Sequence, residues 1–314
     1  MKNIVKVNVK VNVKVKVKVN VMVKVFITVI VFVFAATDMM AEQLDTIVVA
    51  RDGTGDCRNV AEAINKCRAL MDAQRVIYIK KGVYKEKLVI PSHLTNIQLW
   101  GEDRDSTIIT FDDHANINNM GTFNTYTLKV SGREILIRDL TIENNAPQLG
   151  QAVALFADGD GQYYYNCRFL GNQDTVYTGP GKATQHFQDC IIEGTTDFIF
   201  GPATAYFDNC TIISKKNSYI TAAATPKDVE VGYVFTNCYL KAAPGVTKCY
   251  LGRPWRPYAY TLFQDCWFGS HICPEGWDNW RNPENEKTAR YIEARNYGPG
   301  ADTSKRVPWV KTHK

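Results

Sequence analysis

The chain has 314 residues, 45% of them apolar and 22% charged, enough for one large core or two ordinary ones. The formal charge of +5 misleads, because residues 1–41 hold seven of the 37 Lys and Arg but only one of the 32 acids, Asp38. The rest is close to neutral, which gives no general reason to expect nucleic acid or an anionic membrane surface as a partner.

Residues 1–25 alternate Val with Lys or Asn, a low-complexity pattern that seldom builds a packed core. A start at Met22 would give a basic residue, an apolar run over Val25–Phe34, and small residues at Ala35, Ala36 and Ala41. That is the order of a secretory signal peptide, and the run is short for a membrane span. Residues 1–41 are therefore expected to be a leader, although no clean A-x-A marks the cut. Residues 42–314 would form one exported catalytic domain, secreted or periplasmic.

A strand is expected over Thr46–Ala50, then a turn-rich stretch to Asp56, then a helix over Val60–Met71 from its apolar spacing. Short apolar runs follow, broken by Gly, Pro, Asn and Asp: Val76–Ile79, Leu88–Ile90, Ile97–Trp100, Thr107–Phe111, Thr127–Val130 and Ile135–Ile142. Strands this short with turns between them read as all-β. Nine cysteines follow the leader. Cys57 and Cys67 flank the predicted helix and could pair in an oxidising compartment. No C-x-x-C is present, and neither a metal nor a cofactor is expected.

From residue 163 one phrase occurs five times, around Cys167, Cys190, Cys210, Cys238 and Cys266, at steps of 20 to 28 residues. Repeats of that length made only of strands and turns indicate a parallel β-helix. The Asn or Asp before each cysteine would turn a corner, and the five thiols would form an internal ladder of small buried groups. The Val60–Met71 helix and residues 283–312 would cover the two ends of the solenoid.

Gln151, Asp174 and Asp197 are spaced 23 residues apart, so on adjacent coils about 4.8 Å apart all three are expected to leave one face. Two neighbouring carboxylates separate into a protonated acid and a charged base or nucleophile. Arg253, in Leu251-Gly252-Arg253-Pro254-Trp255, is the candidate to hold one of them ionised, and Gln151 and Gln173 offer amide donors for an oxyanion. Singly, each residue has a plainer reading: a corner cap for the aspartates, an amide ladder for the glutamines, a stack on Trp255 for Arg253.

The segments G-Q-A-V-A-L (150–155), Q-D-T-V-Y (173–177), G-T-T-D-F-I-F-G (194–201) and L-G-R-P-W-R-P-Y (251–258) resemble the signature segments of the pectin methylesterases, in the same order. The resemblance runs from about Thr46 to Val310 and implies a right-handed parallel β-helix that hydrolyses galacturonate methyl esters without metal or cofactor. It further implies Asp197 as nucleophile, Asp174 as general acid and then base, and Gln151 and Gln173 as oxyanion donors. Arg253 would contact Asp197 and substrate, Trp255 a sugar ring, and Thr122 substrate through a looser motif. Thr196 and Val176 stand where the family usually has Val and Leu. The expected partner is methyl-esterified homogalacturonan, bound by a monomer without stable membrane association. A glycoside hydrolase or polysaccharide lyase on the same fold, and a non-catalytic carbohydrate-binding β-helix, are the rival readings.

Overall fold

The computed structural model describes residues 45–69 and 74–313, and the expected leader lies outside them. Three sheets of eleven, eight and seven strands run the length of the molecule, and every strand pair is parallel. The seven coils between Arg75 and Gly252 each contribute one strand to each sheet, as in Thr184–Gln188, Ile191–Gly194 and Ile199–Gly201, so the chain winds as a right-handed parallel β-helix.

Alternation within each strand fills the interior. In the eleven-stranded sheet Tyr164, Phe187, Phe207, Phe235 and Phe263 point inward, all nearly inaccessible. Successive rings stack with centroids 4.7, 4.7, 4.4 and 4.4 Å apart. These separations are close to the strand spacing, so the ladder follows from parallel in-register pairing.

The corner expectation holds. Asn166, Asp189, Asn209, Asn237 and Asp265 adopt left-handed backbone with φ between 49° and 56°, a conformation short polar side chains tolerate best after glycine. Each turns the chain from the first sheet into the second. The next residue is the ladder cysteine, and the thiols of Cys190, Cys210, Cys238 and Cys266 each donate to a carbonyl one coil back, at 3.4 to 3.5 Å.

Three expectations need correction, and one open alternative, the Cys57–Cys67 pairing, is answered. The helix spans Val60–Lys66 only, because Cys67 turns to extended backbone (φ −72°, ψ 136°). Its remaining predicted turn runs into residues that are not described. Cys57 and Cys67 are free thiols. The run Ile135–Ile142 is two strands, Leu136–Arg138 and Thr141–Asn144, split where Asp139 takes φ 56°. The C-terminal region does not simply fold over the end: Arg290–Ala294 and Lys311–His313 add two further strands to the eleven-stranded sheet. The helix, with Val60, Ala63 and Ile64 buried, packs at the other end against the first strands.

The last coils are closed by a buried ion pair between Arg306 and Glu293, about 3% and 2% exposed. Arg306 also donates to the carbonyls of Cys273, Pro274 and Gly300, while Trp277 Nε1 donates to Glu293 Oε1. With every guanidinium nitrogen engaged, this burial is tolerable, and it fixes the segment that follows Gly276.

Replacing Phe207 by Ala should remove a ring stacked on both faces and cost about 3–5 kcal/mol. Urea unfolding would read this as a lowered midpoint with an unchanged slope; a loss below about 1 kcal/mol would contradict the ladder as a main source of coil cohesion.

Candidate active site

Asp174 and Asp197 each lie two residues before a strand of the seven-stranded sheet, Val176–Thr178 and Ile199–Gly201. Those strands pair with Val176 beside Ile199, and the Asp174 N–H donates to Thr196 O, so the aspartates are level on adjacent coils. Both have left-handed backbone, φ 66° and 48°. Their neighbours leave no slack: a Cβ on Gly194 would stand 2.2 Å from the Phe198 Cβ and 2.7 Å from Asn172 O. Thr175, fully buried, has its hydroxyl shared between Glu193 O across the coil boundary at 2.9 Å and Asn172 O of its own turn at 3.2 Å.

The even interval misleads for Gln151. The strand after it, Leu155–Ala157, pairs with Leu155 beside Val176, a shorter offset than that between the aspartates. Both Ala154 and Leu155 donate to Thr175 O, a local bulge, and Ala152 N donates to Gln173 O. Gln151 is therefore level with Gln173 rather than with Asp174. The two glutamines are half-buried, and their side-chain amides make no hydrogen bond among the described residues. Two amides with unused donors thus lie beside two carboxylates.

Arg253 follows the Tyr250–Gly252 strand and reaches Asp197 with both ends of its fork, Nε to Oδ1 at 2.9 Å and Nη2 to Oδ2 at 2.7 Å. It does not stack on Trp255; Arg256 does, at 4.8 Å. The Arg253 guanidinium is instead held between the Tyr219 and Trp280 rings, 3.8 and 3.7 Å from their centroids. Cations between aromatic faces gain from the ring quadrupoles, and the planar fork loses little freedom in binding a carboxylate.

Sequence reasoning missed Tyr219 and Trp280. Trp280 arrives from far along the chain: Gly252 bridges Trp277, Asp278 N donates to Gly252 O, and Trp280 N donates to Asp278 Oδ1. The Arg306–Glu293 pair therefore anchors the segment that delivers the ring. The interleaved tryptophans Trp277 and Trp280 were the available signal.

Trp255 packs with Phe200 at 5.9 Å and Phe123 at 6.4 Å, and Phe123 in turn meets Tyr177 and Phe156. Thr122, half-buried, opens the short helix that carries Phe123, so its loop borders this aromatic surface. Among the described residues no group of three or more His, Cys, Asp or Glu is placed to hold a metal ion.

The two carboxylates differ electrostatically. Asp174 is 8% exposed, and burial, reinforced by the nearby Asp197 charge, lifts its carboxyl well above the usual range. Burial also raises Asp197, but its hydrogen bonds and charge pairing with Arg253 oppose the shift. With a guanidinium on both its oxygens, Asp197 has the geometry of a carboxylate; Asp174, without one, has the environment of an acid. A carboxyl raised in the folded state contributes stability at low pH and loses it as pH rises through its folded pKa. Asp174→Asn should therefore stabilise the protein more at pH 8 than at pH 4, read from melting temperatures of both proteins at each pH. A difference that stays constant or reverses between the two would contradict this.

The Pectinesterase family model matches residues 46–314. A probable pectinesterase/pectinesterase inhibitor of Brassica napus is 38% identical over 284 residues, covering 86% of this chain and 48% of that protein. The chain thus spans about half the length of that relative. Pectinesterase 31 of Arabidopsis thaliana is 36% identical, covering 84% of this chain and 86% of its own length. Among solved structures, the pectin methylesterase from carrot superposes with a TM-score of 0.81 at 34% identity, covering 85% of this chain and 86% of that one. With the parallel β-helix and the paired aspartates on one face, these matches settle the kinship: the chain belongs to the pectinesterase family.

Proposed function

We propose that the protein hydrolyses the methyl esters of galacturonate residues in pectin, releasing methanol and leaving free carboxylates. The observation that carries this reading is the bidentate Arg253–Asp197 pair level with a buried, unpaired Asp174. It supports a division into one ionised and one protonated carboxyl, the combination that covalent acyl transfer followed by hydrolysis needs.

In this reading an Asp197 oxygen attacks the C6 ester carbonyl, and the Gln151 and Gln173 amides donate to the oxyanion that forms. The C–O bond to methoxide breaks as Asp174 gives up its proton, so methanol leaves and an acyl-Asp197 anhydride remains. Asp174, now charged, takes a proton from water, whose hydroxide attacks the acyl carbon. Asp197 departs as carboxylate, Asp174 is again protonated, and the product acid ionises in solvent. Arg253 keeps Asp197 in one rotamer and charge state, while Trp255 and the loop of Thr122 border the path of the sugar chain. Trp280 and Tyr219 act through Arg253 as positioning residues. The reading extends to the setting: the chain acts as a monomer, without stable membrane attachment, after export. Among the described residues no helix is long and apolar enough to cross a membrane.

Highly methylated pectin should yield methanol without new reducing ends, and Asp197→Asn should lower the rate by roughly 10³-fold or more. New reducing ends would reassign the site to glycoside cleavage, and no methanol would remove the esterase reading. Trp280→Ala should lower kcat by about tenfold or more with a smaller change in KM, because a loosened Arg253 costs transition-state geometry. A rise in KM alone would make Trp280 a contact for substrate instead.

A further inference from the structure

The outer face of the seven-stranded sheet carries one row, set by strand register, of Lys129, Phe156, Tyr177 and Phe200. Phe200 lies in the strand that follows Asp197. Three strand steps separate that strand from Lys129, roughly 14 Å along the solenoid axis. The rings between are continuous: Phe156 meets Tyr177 at 4.4 Å and Tyr177 meets Phe200 at 5.2 Å. Trp280, which also covers Arg253, packs against the same cluster.

Lys129 is the partly exposed cation of this row, with Val89 of the edge strand beyond it. Its Nζ stands 4.7 Å from the Phe156 centroid and 3.5 Å from Asp158 Oδ2, and it makes no closer polar contact among the described residues. Lys87, on the same side, differs: its ammonium is engaged by Asp113 and by the Asn124 carbonyl at 2.6 Å. Lys129 therefore retains ammonium donors for a ligand, on an aromatic surface whose accessible rings are the exposed Phe123 and the half-buried Tyr177, packed on the buried Phe156 and Phe200.

We propose that Lys129 forms a cationic subsite for the free carboxylate of a galacturonate already stripped of its methyl ester, some sugar units along the chain from the one at Asp197. The inference rests on the pectin reading above, since each turnover on pectin creates one such carboxylate. Asp158 is the competing internal anion, so the subsite has a built-in opposite variant.

Initial rates of methanol release would be measured for wild type, Lys129→Gln, Lys129→Arg and Asp158→Asn. The substrates would be fully methyl-esterified and partly de-esterified oligogalacturonates. Lys129→Gln should raise KM on the partly de-esterified substrate by about three- to tenfold, the scale of a partly exposed charge contact, and leave the fully esterified one unchanged. Lys129→Arg should keep the wild-type preference, and Asp158→Asn should sharpen it. Equal changes on both substrates, or none on either, would overturn the subsite. If wild type released no methanol from either substrate, the esterase reading would fall on its own. Calorimetric binding of fully de-esterified oligogalacturonate would then decide the subsite: weaker binding by Lys129→Gln supports it and unchanged binding rejects it.

Discussion

Two carboxylates on adjacent coils, both almost excluded from water, form an arrangement that the surrounding protein must make tolerable. The bidentate contact of Arg253 with Asp197 does so by assigning the charge to one of them. Burial and the Asp197 charge then push the Asp174 carboxyl upward, so a single guanidinium creates the asymmetry that the proposed acid and nucleophile require. Arg253 is in turn fixed by the Tyr219 and Trp280 rings, and Trp280 by a segment anchored through the Arg306–Glu293 pair. The site thus depends on contacts from the last coils as much as on its own strands.

The β-helix suits this because its repeat is a ruler. Parallel pairing sets groups on successive coils about one strand spacing apart, and the left-handed backbone at each aspartate is tolerated by a short polar side chain. The stacked phenylalanines and the cysteine ladder hold successive coils in that register from within.

Much of this was legible in the sequence, for a physical reason. A solenoid repeats its local rules, so five Asn/Asp-Cys phrases disclose corner, ladder and coil length together. The interval between Asp174 and Asp197 is a true register, because nothing interrupts the coil between them. The equal interval from Gln151 is not, since the strands Leu155–Ala157 and Val176–Thr178 pair two residues short of the aspartate offset and the bulge at Ala154 and Leu155 restores only one of them, and no composition signal marks either change. Corners that carry no cysteine, such as Asp139, were hidden inside an apolar run. Tyr219 and Trp280 were missed because their role depends on three-dimensional convergence on Arg253, which spacing along the chain does not encode.

Everything proposed for the site turns on how the aspartate pair divides its protons. Difference infrared spectra of the carboxyl region at neutral pH, comparing wild type with Asp174→Asn and Asp197→Asn, test it most directly. A protonated carboxyl band present in wild type and lost only in Asp174→Asn is the predicted result. A band lost instead in Asp197→Asn, or absent from wild type, would contradict the account.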